Sequence, residues 1–410
     1  MSFLVTRHSP PVTVVISDSL ELPFPSPIIF MTMSGPYFVS RAYDFGWFVL
    51  PGIVTAILAL AWGLASGVDH VESSGIGVWI AGVLLVDVAH VYASLYRTYL
   101  DAGQRQRHFK LLIWAPLLCA TLGFALHARS PRYFWAVLAY VAIFHFIKQH
   151  IGFAMLYVRA GRESTFDRRL TEVAIWTGTL VPIIYWHAHL PRQFVWFKQG
   201  DLFAGLPTIV ATVFLIMEVP VLLFFIARRI QLTLRGNANA MVVWLALIPA
   251  LNWHLGIVLF NSDRIFTITN VIMHGVPYMA LVWLTGGQQT MARAVNQPEN
   301  KVPQIILAAL FYGFLLTLAF AEEAAWNRLV WNDFPQLFGA GEPLVGTDSL
   351  LGALVVALLV VPQATHYLLD RWIWRVGPDN PELATQLNLA RFRADSAATV
   401  RTADARNAEI

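Results

Sequence analysis

The chain has 410 residues, 57% hydrophobic and 13% charged, with a formal net charge of +3 and a mean hydropathy of +0.57. A soluble domain carries about a quarter charged residues, so an ordinary soluble fold is excluded, and 28 Lys+Arg against 25 Asp+Glu gives no reason to expect a nucleic-acid partner. The single cysteine, Cys119, excludes an intrachain disulfide, a four-cysteine zinc site and a CxxC redox pair.

Residues 1–32 are rich in Pro and Ser and lack the basic region and apolar run of a secretory signal. Met31 and Met33 are alternative starts, so 1–45 is expected to be a disordered or mis-started leader. Ten apolar stretches follow, at about 46–66, 75–96, 110–128, 132–158, 171–190, 205–228, 240–261, 264–286, 302–321 and 349–374. Each is close to the roughly 20 residues that carry an α-helix across hydrocarbon. The predicted fold is all-α: a polytopic bundle of about ten transmembrane helices over 46–376, then a polar tail over 377–410 with a short helix and a disordered end. With the N-terminus in the cytoplasm, the inner loops carry thirteen Lys/Arg and the outer loops six, as the positive-inside rule requires. Both termini are then cytoplasmic, and the expected location is an integral membrane one, the plasma (inner) membrane if the source is bacterial. The longest outer loop, about 322–348, contains AEEAAWNRLVWNDFPQLFG, whose mixture of Trp, Phe and acids predicts an interfacial helix.

Polar side chains interrupt the apolar stretches: Asp87 and His90; His145, Lys148, Gln149 and His150; Glu218; Asn252 and His254; Asn270, His274 and Tyr278; His366 and Asp370. Such residues are expensive at bilayer depth and normally face a partner or a wet site. Counted from the cytoplasmic ends at about 1.5 Å per residue, His90 is roughly 10 Å in, His150 and His366 about 14 Å, and His274 about 18 Å. Four helices thus bring a histidine to one band of the inner half of the bilayer, and these four are the predicted metal ligands. Asp87–His90, His366–Asp370 and Asn270–His274–Tyr278 recur at helical spacing, placing a hydrogen-bonding partner on the histidine's own face, where it would fix the tautomer of a ligating imidazole. His145 and His150 lie about 140° apart around their helix, so one serves the site and the other a neighbouring helix; His145, Gln149, Asn252 and His254 are placed with Asp87, Asn270 and Asp370 as supporting groups. Lys148 and Glu218 read as a charge pair or as catalytic groups, and with His274 and Tyr278 they form the candidate catalytic set.

An imidazole-rich site without thiolates suits iron, or zinc or copper, and a site in the bilayer meets a lipid or isoprenoid. The arrangement resembles the integral-membrane non-haem iron enzymes, the fatty-acid desaturases and hydroxylases and the carotene-cleaving dioxygenases, in drawing histidines from several apolar helices. That resemblance implies an O₂-dependent oxidation of an acyl or isoprenoid chain; no HxxxH or HxxHH box occurs, so no residue is carried over. Two other readings remain open. Asn252-Trp253-His254 with His274-Gly275 resembles membrane-bound O-acyltransferases, which implies His274 as a general base without a metal. A proton- or ion-coupled transporter would also use buried acids, histidines and Lys148.

Overall fold

The computed structural model describes residues 36–66, 75–237, 239–298 and 301–389; the expected leader up to 35 and the tail from 390 lie outside the described residues. Among them every regular element is helical. In chain order they are α1 (Arg41–Phe48), α2 (Leu50–Ser66), α3 (Gly75–Arg97), α4 (Ala102–Arg107), α5 (Phe109–Arg129), α6 (Pro131–Ala160) and α7 (Thr165–Ala188), followed by α8 (Thr208–Leu234), α9 (Ala240–Leu259), α10 (Asp263–Ala294), α11 (Gln304–Trp331), α12 (Pro335–Phe338), α13 (Leu350–Ile373) and α14 (Pro381–Gln386). Eight of these, α3, α5, α6, α8, α9, α10, α11 and α13, are long and apolar enough to cross a membrane. A ninth is gained if α1 and α2, bent by 42°, count as one span. The expected tenth, around 171–190, is the helix α7, which opens with Asp167, Arg168, Arg169 and Glu172 and is not apolar enough to join the others.

Serine caps set several helix starts. Ser130, Ser164, Ser262 and Ser349 each accept the backbone N–H three residues on, ahead of α6, α7, α10 and α13, supplying an acceptor to an otherwise orphaned donor. α6, α9 and α10 are the most buried long helices, whereas α5, α8 and α11 turn rows of Leu, Ile and Phe outward, the pattern of a bundle whose solvent is hydrocarbon. Before α6, residues 36–48 dock on its inner end: Asp44 accepts from Tyr157 Oη (2.5 Å) and from the Phe38 and Val39 amides.

α11 departs from expectation. The segment 322–331, expected as an interfacial helix within an outer loop, instead continues the spanning helix for ten residues beyond 321 and ends in a π-helical turn, Asn327–Trp331. Its carboxylates are thereby carried on a helix that packs against α3. A longer π-helical stretch, Trp79–Val88, lies within α3 just before His90, and such widened turns occur often at functional sites.

Small residues allow the closest approaches. A Cβ added at Gly275 of α10 would lie 2.6 Å from Val86 Cγ1 and 3.4 Å from His90 Cβ of α3. The absent side chain lets two site helices meet, as small residues do in membrane bundles. At the inner end, buried Arg97 donates to the Thr285 carbonyl (2.6 Å), Gln386 Oε1 (2.9 Å) and Asn380 Oδ1 (3.3 Å). Gln104 donates to the same Asn380 oxygen. These bonds hold residues 380–386 across the inner ends of α3 and α10.

Candidate metal centre

α3, α10, α6 and α13 pack in a closed ring, each against the next, and each sends one histidine into the middle. The His90 ring centroid is 4.7 Å from that of His274 and 5.1 Å from that of His366; His145 is 5.2 Å from His274 and 4.8 Å from His366. All four are buried, none more than 6% exposed. Ligand atoms of His90, His145 and His274 lie within 4.8 Å of one another, and so do those of His145, His366 and Asp370, so two donor triads share His145.

The imidazole nitrogens are short of partners. Both nitrogens of His90, His274 and His366, and Nε2 of His145, are buried without a hydrogen bond. The nearest carboxylates stop at ion-pair range: Asp87 at 3.6 Å from His90 Nδ1, and Asp370 at 3.8 Å from both His145 Nε2 and His366 Nδ1. An orphaned buried polar atom costs about 1–3 kcal/mol, and seven in one cluster is far more than a packed interior tolerates. A cation could take one nitrogen lone pair from each of several of these rings, leaving the other nitrogen of each as an N–H donor, so the residues present fit a metal ion.

Neighbouring groups fix the rings. Phe146 stacks on His274 (3.6 Å between centroids, 5° between planes), and Tyr367 lies 4.5 Å from His145. Tyr278 Oη donates to Asp370 Oδ1 at 2.7 Å, orienting the carboxylate between the histidines. Gln149 Nε2 donates to the His274 carbonyl at 2.8 Å, tying α6 to α10.

The structure brings together His90, His274 and His366, with Asp87, Tyr278 and Asp370 beside them. On α6 it puts His145, expected as a supporting group, where His150 was expected as a ligand. The His150 ring is 6.3 Å from His274 and lines a separate small void with Gly52, Met273 and Pro277. The anticipated hydrogen bonds from Asn270 and Tyr278 to His274 do not form, since Asn270 Nδ2 turns back to the Phe266 carbonyl and Tyr278 reaches Asp370. Lys148 is exposed on the bundle surface and does not meet Glu218: that carboxylate takes His254 Nε2 at 3.0 Å, while His254 Nδ1 donates to the Ala250 carbonyl. Asn252 is fully occupied in joining α9 to α2, accepting from Thr55 Oγ1 and donating to the Gly52 and Ile248 carbonyls.

A cavity of about 450 Å³ lies beside the cluster, with none of the four histidines in its lining. Asp87, Phe146, Asn270 and Tyr367 form its floor, each touching or flanking a cluster histidine, and the loop residues Lys198 and Asp333 stand at its far end. Glu322 and Glu323 line it as well. Both fell in the stretch expected as an interfacial helix of an outer loop and were given no role there; the signal available was Glu322 placed i, i+4 to Trp326, from whose Nε1 it accepts at 3.3 Å on one helical face. At the far end Asp201 accepts from the Phe197 and Lys198 amides (2.6 and 3.2 Å), and its burial pushes the carboxyl above the usual range.

Comparison of the chain with protein families, with curated proteins and with solved structures finds no match in any of the three.

Proposed function

We propose that this chain is a multi-pass membrane metalloenzyme, a non-haem iron oxidoreductase acting on an amphiphilic substrate of lipid or isoprenoid type. The observation that carries the reading is the cluster of four histidines from four helices, seven of whose eight ring nitrogens are buried without a hydrogen bond. His90, His145 and His274 would hold the ion, with His366 and Asp370 completing or exchanging a position. Imidazole and carboxylate donors without thiolate suit iron, as they suit zinc or copper, and iron so held would supply O₂ activation.

The chain's own groups would do the rest. Tyr278 holds Asp370 in place through a 2.7 Å bond. Asp87, partly exposed to the cavity, stands 3.6 Å from His90 Nδ1, where it can hold or return a proton. Phe146 and Tyr367 exclude water from the flanks of His274 and His145. The inner end is closed by Arg97 and its partners. Substrate would therefore arrive through the cavity from the Lys198–Asp333 end, the outer face if the basic loops are cytoplasmic.

The test is elemental analysis of protein purified in mild detergent, followed by reconstitution with iron, zinc or copper. About one metal per chain, lost in His90→Gln, His145→Gln and His274→Gln variants that still fold, supports the reading. Less than about 0.2 per chain, with no binding on reconstitution, refutes it.

A further inference from the structure

The cavity's lining identifies a ligand chemistry. Its volume, about 450 Å³, falls within the range of small-molecule sites, roughly 300–1,000 Å³. One wall is a cluster of indoles: Trp326 stacks on Trp331 at 4.7 Å, and Trp135 lies 5.5 Å from Trp331 and 6.2 Å from Trp326. Opposite stands Trp79, stacked on Phe334 at 4.0 Å. Indole faces attract cations, and Lys198 Nζ already sits 5.7 Å above Trp135.

Charge points the same way. Asp87, Glu322, Glu323 and Asp333 line the cavity with Lys198 alone as a basic residue. Two lining residues carry a buried polar atom without a hydrogen-bond partner, Asn270 at Oδ1 and Glu322 at Oε2, and both atoms are acceptors. Asn270 is only 2% exposed, and its amide nitrogen is already spent on the Phe266 carbonyl. Buried acceptors call for a donor. A neutral hydrocarbon would leave them orphaned, and an anion would be repelled.

We infer that this chamber binds the protonated amine of an amphiphile, with Glu322, Glu323 and Asp87 as counter-charges, Asn270 Oδ1 as an acceptor, and the indoles of Trp135, Trp326 and Trp331 as the apolar and cation-binding wall. Calling that amphiphile a substrate rests on the proposed metal chemistry, but its binding does not. The amine group could belong to a lipid headgroup or to a free amine, and both present the same N–H donors.

The experiment uses the full chain in a maltoside detergent and follows tryptophan fluorescence during titration at neutral pH, before and after chelator treatment. Dodecylamine is expected to bind saturably and at least tenfold more tightly than dodecanol, which has the same chain without the charge. The E322Q/E323Q double variant should bind dodecylamine no better than dodecanol, and Asn270→Leu should weaken dodecylamine several-fold while leaving dodecanol unchanged. If the double variant does not fold, as judged by its melt, Glu323→Gln alone is read instead. Lysophosphatidylethanolamine binding without ethanolamine binding supports a lipid source, and ethanolamine binding supports a free amine. Equal affinity for dodecylamine and dodecanol overturns the inference, and so does unchanged dodecylamine binding in the glutamine variants or displacement by millimolar calcium alone. Amine binding that survives chelation keeps this inference intact even if no metal is ever found.

Discussion

Gly275→Ala tests the geometry on which the histidine cluster depends. The new Cβ would lie 2.6 Å from Val86 Cγ1, 3.1 Å from the Val86 carbonyl oxygen and 3.4 Å from His90 Cβ. Carbon atoms in contact prefer about 3.5–4.0 Å, so α3 must retreat by about 1 Å. Rotating Val86 relieves only the first clash, because the second is with backbone. Overpacking of this kind costs about 1–3 kcal/mol, partly offset by the up to 1 kcal/mol that Ala gains over Gly in a helix. The expected net destabilisation is therefore about 1 kcal/mol, a modest drop in melting temperature. The effect on the site is larger, because ligand distances are held to about 0.2 Å and His90 moves with α3, widening its 4.7 Å separation from His274. Metal content should fall several-fold in a protein that still folds. The control is Gly152→Ala on α6, where a Cβ meets nothing within 4 Å; it should leave metal unchanged and raise stability by about 0.5–1 kcal/mol. Thermal unfolding in detergent and elemental analysis of both variants decide the matter. Wild-type melting and metal content in Gly275→Ala would show that α3 and α10 do not approach as described.

Other outcomes follow from the same structure. His145→Gln should abolish metal retention and His150→Gln should preserve it, since only His145 belongs to both donor triads; elemental analysis showing the reverse would exchange the two residues' roles. Arg97→Ala removes three hydrogen bonds, two of them buried, and should cost about 3 kcal/mol, with residues 377–389 becoming sensitive to limited proteolysis before the bundle melts. An unchanged digestion pattern would exclude a clasp there. Asp167 is held below the usual carboxylate range chiefly by its hydrogen bond from Arg228 (Nε to Oδ1, 2.6 Å). With its folded pKa depressed, its contribution is fully present above the unfolded value of about 3.9 and is lost as pH falls through the folded one. Melts of wild type and Asp167→Asn should differ at pH 6 and converge toward pH 3; a constant difference across that range would show that the ion pair adds nothing.

Much of the architecture was readable without coordinates. An apolar run of about 20 residues has one stable fate in hydrocarbon, a helix with its backbone bonds satisfied internally. The expected stretches accordingly became helices, although α7 is too polar at its start to count among the clear spans. The ion pairs were less legible. Lys148 and Glu218 are opposite charges in apolar segments, but α6 turns Lys148 outward while α8 meets α9 and gives Glu218 to His254. Which helices adjoin depends on packing across the whole bundle, and hydropathy holds no record of it.

The histidine cluster shows where that boundary falls. Sequence alone determined that several helices carry intramembrane histidines and that, of His145 and His150, one serves the site and the other a neighbouring helix, because five residues turn a helix by about 140°. Helical periodicity fixes the angle between two side chains but not which of them faces the centre. Tertiary structure decided that. Gly275 lets α3 close on α10, Gln149 ties α6 to the His274 carbonyl, and that rotation of α6 points His145 inward and leaves His150 beside the α2 void. The acidic chamber above the cluster was hidden for the same reason: Glu322 and Glu323 acquire a common wall with Asp87 only once α11 continues past residue 321 and packs on α3.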